Sequence, residues 1–117
     1  MQTLHKTTEQ LINELNYLKD IFLNDTSVEE NRKYFFYVKK QTTHVFDLLQ
    51  SWEDMTMSHI KDRYILSVHL KQVIATKENM ELLLLHSYYK DLRKRRYMEY
   101  YRSCLYVFNQ LLEETSS

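Results

Sequence analysis

The chain has 117 residues, 44% hydrophobic and 27% charged, with neither glycine nor proline, an absence that average usage of ~7% and ~5% would give in roughly a few chains in ten million. Without glycine there is no phosphate-cradling loop, dinucleotide-binding turn, EF-hand bend or strained nucleophile elbow, since each needs a positive φ or close backbone approach, and tight β-hairpins lose their usual turns. Lys plus Arg is 16 and Asp plus Glu is 16, so no global field favours nucleic acid or an anionic membrane, and any electrostatic function is local.

What remains is an all-α domain, and apolar residues recurring at steps of three and four mark its helices. The first, expected over about 3–24, carries Leu4, Thr8, Leu11, Leu15, Leu18 and Phe22, widened by Ile12 and Ile21. Glu9 and Glu14 in this start, and the lack of an apolar core, argue against a signal peptide. Short polar side chains at Asn24, Asp25, Thr26 and Ser27 then compete with helical hydrogen bonding. Ser27 with Glu30, or Thr26 with Glu29, fits a capping box for a second helix over about 28–57.

That second helix has an unbroken seam of Phe35, Val38, Thr42, Val45, Leu49, Trp52 and Thr56, with Tyr34, Phe46, Leu48 and Met55 beside it. From Met57 to Leu66 the rhythm fails, which predicts a loop or distorted turn, and Ser67 is the expected N-cap of a third helix over 68–89. Leu70, Val73, Thr76, Met80, Leu83 and Ser87 form its seam. Leu82, Leu84 and Leu85 make its C-terminal half apolar nearly all round, which predicts burial on several sides. The fourth helix, about 95–114, carries Tyr97, Tyr101, Cys104, Phe108 and Leu111.

No breaker separates the third and fourth helices, and the seam runs in phase through Lys90 and Lys94. A single rod over 67–114 would be about 70 Å long. It would also force both lysines into an apolar stripe without a partner, at a desolvation cost. The turn is therefore expected at 89–95, giving one up-down-up-down four-helix bundle over 1–117.

The stretch KQVIATKENMELLLLHSYYKDLRKRRYMEYYRSCLYVF from Lys71 to Phe108, with TTEQLI near the start, KYFFYV and the Trp52 region, resembles the YppE-like family of small bacterial helical proteins of unknown function. The resemblance covers nearly the whole chain. Its most specific positions are Gln72, Thr76, Asn79, Leu83, Ser87 and Tyr88, followed by a basic-aromatic turn ending at Arg96 and Tyr97. It implies a four-helix bundle from low-GC Gram-positive bacteria, and no activity, cofactor, catalytic residue or role for those positions.

The usual chemistry of small bundles finds little purchase. None of His5, His44, His59, His69 and His86 has a glutamate three residues before it, as a di-iron centre needs, and no two are spaced for zinc on one helical face. His86 with Lys90 offers the charge for phosphotransfer, but Leu82, Tyr88 and Tyr89 crowd the position, so the plainer reading is a half-buried histidine hydrogen-bonded to a neighbour. Cys104, the one cysteine, cannot form an intrachain disulfide and reads as a core filler rather than a nucleophile. Glu78 with Glu81, and Asp47 with Glu53 or Asp54, read as a solvated face pairing with Lys71, Lys77 and the third-to-fourth turn. No cofactor, metal or catalytic residue is expected. The longest apolar run, Leu82 to Leu85, is far short of a membrane span, and the chain reads as a cytoplasmic protein.

One region stands out. KDLRKRRYMEYYR, from Lys90 to Arg102, holds six basic and two acidic residues. Basic residues interleaved with aromatics hold phosphates and stack bases. The plainer account puts Lys90, Arg93 and Lys94 at a helix C-terminus, where cations offset the macrodipole, with Tyr97 and Tyr101 in the core and their hydroxyls reaching water at the bundle end. Lys90, Arg93, Lys94, Arg95, Arg96, Tyr100 and Arg102 form the candidate interaction surface. A second route to binding is apolar excess: Tyr34, Phe36, Tyr37, Leu82, Leu85, Tyr100 and Tyr106 exceed what a core seam needs, which suits a homodimer. The preferred function is a non-catalytic bundle that binds another protein, acidic or a second copy of itself. A nucleic-acid accessory factor using 90–102 is the alternative, and a small enzyme or metal-binding bundle comes third.

Overall fold

Each periodic segment becomes a helix that buries its own stripe. The computed structural model describes residues 3–24, 32–89 and 92–116. They form α1 (Leu4–Leu23), α2 (Arg32–Lys61), α3 (Leu70–Tyr89) and α4 (Lys94–Thr115), with no strand among the described residues. The capping box expected at 26–30 lies outside them.

Local chemistry sets the ends. Thr3 caps α1, its hydroxyl accepting the Lys6 N–H at 3.2 Å. α2 continues past the expected end at 57 to Lys61, because Met57 and Ile60 pack against the core even though their spacing departs from the seam. It closes in a Schellman motif: the Tyr64 N–H reaches the His59 carbonyl at 2.8 Å and the Arg63 N–H that of Ile60 at 3.1 Å. The His59 and Tyr64 rings meet at the same point, 6.0 Å between centroids. Arg63 takes the left-handed position, φ 64°, the one positive φ among the described residues.

α3 starts two residues later than expected, and its cap is His69, not Ser67. The His69 carbonyl accepts the Gln72 N–H, the Gln72 side-chain oxygen accepts the His69 N–H at 2.8 Å, and His69 Nδ1 accepts the Lys71 N–H. This is a reciprocal cap with histidine in the usual serine position. Ser67 is engaged elsewhere: its N–H and hydroxyl both donate to the Glu114 carboxylate, which also accepts the Leu66 N–H. The α2–α3 connection is thereby tied to the end of α4.

The helices pack antiparallel in an up-down-up-down bundle. His5 meets Thr115 and Phe22 stacks on Tyr97 between α1 and α4, while Lys77 of α3 reaches Gln50 and Glu53 of α2. Its cross-section is a rhombus. α1 and α3 approach across the short diagonal, where the buried positions include Thr8, Thr76 and Ser87, whose small side chains let backbones come close. Each of these hydroxyls donates to the carbonyl four residues earlier, so burial leaves none orphaned. The α2 and α4 backbones stay apart, and their largest side chains fill the gap: Trp52 and Phe108, both 0% exposed, meet edge to face at 5.3 Å. The longest dimension, 47 Å, is well below the about 70 Å of an unbroken third-to-fourth rod. The break lies between Tyr89 and Lys94.

Candidate functional site

The start of α4 is built by tyrosines that point in and cations that point out. Tyr97 is 0% exposed, stacked on Phe22 with centroids 3.8 Å apart, and its hydroxyl donates to Ser87 Oγ at 2.6 Å. Burial pushes its pKa up to about 12, against the Ser87 hydrogen bond, which acts the other way. One turn on, the Tyr101 hydroxyl donates to Asn16 Oδ1 at 2.6 Å, and the Lys19 ammonium lies over the Tyr101 ring, 4.8 Å from its centroid. Both hydroxyls thus find protein partners rather than water: Ser87 of α3 meets Tyr97, and Asn16 and Lys19, on the flank of the α1 stripe, meet Tyr101.

Arg93 and Lys94 do not lie at a helix C-terminus. Arg93 is the N-cap of α4 in extended conformation, and Lys94, Arg95 and Arg96 fill the first turn. The macrodipole there opposes them instead of offsetting them. The first turn holds no acidic residue and Arg93 makes no side-chain cap, so its N–H groups add to the positive field. Arg95 pairs with Glu99 at 3.6 Å. The Arg96 guanidinium reaches the Tyr100 hydroxyl at 3.4 Å and lies 5.7 Å from the ring centroid, and that hydroxyl raises its pKa above the ordinary value. The side chains of Arg93, Lys94 and Arg102 are exposed and make no hydrogen bond or ion pair among the described residues. Lys90 lies outside the described residues. Tyr100 is half-buried, and Tyr89, 68% exposed, is the open aromatic ring nearest this cationic stretch in the chain.

The positions singled out by the resemblance lie on α3 and at the start of α4. Gln72 caps α3, and its carbonyl holds the Thr76 hydroxyl. The Thr76 carbonyl accepts the Cys104 thiol at 3.7 Å, Ser87 holds Tyr97, Tyr88 is buried, and Asn79 is half-buried. Cys104 is 0% exposed, and burial pushes its thiol up to about 12, far from a nucleophile's range. His86 is half-buried, and its Nδ1 has no hydrogen-bond partner among the described residues, so the neighbour bond expected of it is not made at that atom within them. Glu53 pairs with Lys77 as expected of the acidic faces. Among the described residues, no three of the His, Cys, Asp and Glu side chains converge as metal ligands, and no helix is long and apolar enough to cross a membrane.

Asn16, Lys19 and Glu114, which organise the site and the opposite end, belong to no motif in the sequence. The only signal for the first two was their place directly after Leu15 and Leu18, on the flank of the α1 stripe.

Comparison with known proteins accords with this architecture. The profile described as bacterial domain of unknown function (DUF1798) matches residues 8–115. The chain is 27% identical over 113 residues to the uncharacterized protein YppE of Bacillus subtilis strain 168, covering 97% of this chain and 92% of that one. The crystal structure of Bacillus subtilis YppE superposes with a TM-score of 0.85 at 26% identity, covering 100% of this chain and 98% of the other. A Listeria innocua protein of unknown function shares the fold with a TM-score of 0.82 at 12% identity, over 94% of this chain and 88% of its own.

Proposed function

The chain belongs to the bacterial DUF1798 family of domains of unknown function, and on that premise we propose that it is a non-catalytic helical module that meets an acidic protein partner through the exposed cations at the start of α4. The observation that carries this reading is the placement of Arg93, Lys94, Arg95 and Arg96 at the positive end of a helix with no acidic residue in its first turn. Such a placement costs stability in the free protein, and an anionic partner turns the cost into attraction. The tyrosines weigh against nucleic acid as the partner. Tyr88, Tyr97 and Tyr101 are 5%, 0% and 8% exposed, and Tyr100 is covered by Arg96, so few rings remain to stack on bases.

Fluorescence anisotropy with a poly-glutamate peptide and with single-stranded and duplex oligonucleotides at low salt separates the readings. The expected result is peptide binding that weakens at least tenfold in the R93E/R95E/R96E variant, with circular dichroism unchanged. Oligonucleotide binding that outlasts peptide binding as salt rises would move the assignment to nucleic acid. No binding of either probe would remove the α4 surface from consideration.

A further inference from the structure

The Ser87–Tyr97 hydrogen bond, 2.6 Å long, fixes which faces of α3 and α4 meet. One residue back along each chain stand His86 and Arg96, each turned about 100° from that contact and at nearly the same height. Because the helices run antiparallel, the two turns carry both side chains to the same side of the seam. That side is the outer one: Tyr101, displaced round α4 in the opposite sense, meets Asn16 and Lys19 of α1 within the bundle. Tyr100, one turn after Arg96, completes the group, its hydroxyl accepting from the Arg96 guanidinium at 3.4 Å.

Each member of this group has a hydrogen to give. His86 Nδ1 is buried without a partner among the described residues, while Nε2, which makes no bond among them either, is open to solvent. A buried N–H without an acceptor is a costlier orphan than a buried lone pair, so the ring keeps its hydrogen on Nε2 and presents a donor outward. That tautomer withholds the Nε2 lone pair a phosphoryl acceptor would need, so the group binds rather than reacts. The Arg96 fork has N–H groups beyond the one spent on Tyr100, and the Tyr100 hydroxyl keeps its own hydrogen. No carboxylate of the described residues answers them: Glu99 pairs with Arg95 at 3.6 Å, and Arg96 makes no ion pair. Apolar side chains flank the donors. The sequence made this half of α3 look enclosed, but Leu82, Leu85 and Tyr89 are 37%, 49% and 68% exposed. Leu82 and Tyr89 stand one turn before and after His86, where apolar surface strengthens a hydrogen bond to a charged acceptor.

We propose that His86, Arg96 and Tyr100 form a seat for one carboxylate, an aspartate or glutamate side chain of the acidic partner. The proposal rests on the α4 reading above and adds to it the atoms that recognise the ligand. An ionised carboxylate only accepts, through two oxygens in one plane. The Arg96 fork takes both oxygens, and the Tyr100 hydroxyl and His86 Nε2–H meet the lone pairs left over. The charge selects the ligand class. Arg96 brings a single positive charge to the seat, which matches a carboxylate, whereas a phosphate monoester carries about −1.5 to −2.

Substitutions that leave the formal charge of the chain unchanged separate this seat from attraction by the cations at large. Binding of a poly-glutamate peptide, read by fluorescence anisotropy at low salt, should weaken about tenfold in each of Arg96→Lys, Tyr100→Phe and His86→Phe, with unchanged circular dichroism. Arg95→Lys, the same kind of change outside the group, should leave it as it was. Long-range 1H–15N spectra of the histidine rings give a readout that needs no variant to fold. They should show the Nε2–H tautomer of His86 in the free protein and a peptide-induced shift larger at Nε2 than at Nδ1. Peptide binding undiminished in any of the three variants would overturn the seat and leave the α4 reading standing, as would an Nδ1–H tautomer in the free protein. Absence of peptide binding by the wild type would sink the α4 reading and the seat together.

Discussion

The Tyr97 hydroxyl donates to Ser87 Oγ at 2.6 Å, and Ser87 in turn donates to the Leu83 carbonyl at 2.5 Å. This buried chain of hydrogen bonds spans the break between α3 and α4. It anchors both helices on the inner side of the bend while the cations stand on the outer side. Ten residues separate the two side chains, a spacing a continuous helix would hold about 15 Å apart.

Tyr97 therefore ties stability to alkaline pH. Burial raises its folded pKa from 10.0 to about 12, so the neutral form is the one the fold accepts. Its contribution is fully present below the unfolded value near 10 and is lost as pH rises toward about 12. Tyr97→Phe should cost about 1 kcal/mol at neutral pH and flatten this part of the alkaline limb. Urea denaturation at several pH values between 8 and 12 checks both effects.

Arg63 closes α2 in the left-handed region, where a side chain bearing Cβ is strained. In a chain with no glycine, this is the place where one belongs. Arg63→Gly should raise stability by about 1 kcal/mol, and the thermal midpoint should rise by several degrees. A fall in midpoint would show that the arginine side chain contributes more than its backbone costs.

The edge-to-face pair of Trp52 and Phe108 fills the long diagonal of the bundle. Trp52→Ala should cost about 3 to 5 kcal/mol. Trp52→Phe should cost clearly less, because the buried indole N–H has no hydrogen-bond partner among the described residues and its removal recovers part of the loss. Denaturant midpoints of the two variants give the comparison.

Glu114 holds the α2–α3 connection. Burial works to raise its pKa, but hydrogen bonds from the Ser67 hydroxyl and the Leu66 and Ser67 N–H groups outweigh it and lower the value. The ionised form is thus favoured by folding, and the tie is complete above the ordinary carboxylate range and lost as pH falls through the lowered value. Amide exchange at Leu66 and Ser67 should speed up on acidification relative to neighbouring helical amides. Glu114→Gln should show the faster exchange already at neutral pH.

The stripes of α1, α2 and α4, the bundle and the break before Lys94 were legible in the sequence because each rests on a periodic burial pattern or on the cost of placing lysines in it. What escaped was whatever depends on a partner element. His69 displaced Ser67 as the cap because Glu114, forty-seven residues away, claims Ser67. The end of α2 was hidden because Arg63 does what glycine usually does. The outer leucines of α3 resemble core leucines in any window, and only the position of the neighbouring helices separates the two. At the candidate site the composition was legible, but the sense was not. The cations begin α4 instead of ending α3, which reverses their relation to the helix dipole.

On the reading proposed above, this reversed cluster is where the protein meets an anionic partner. Its most direct test is a 15N-resolved NMR titration of the full chain with an acidic peptide at low salt. The expected shifts are concentrated on the amides of residues 92–102 and abolished by raised salt and by R93E/R95E/R96E. Shifts centred elsewhere on the bundle, or a spectrum unchanged at saturating peptide, would contradict it.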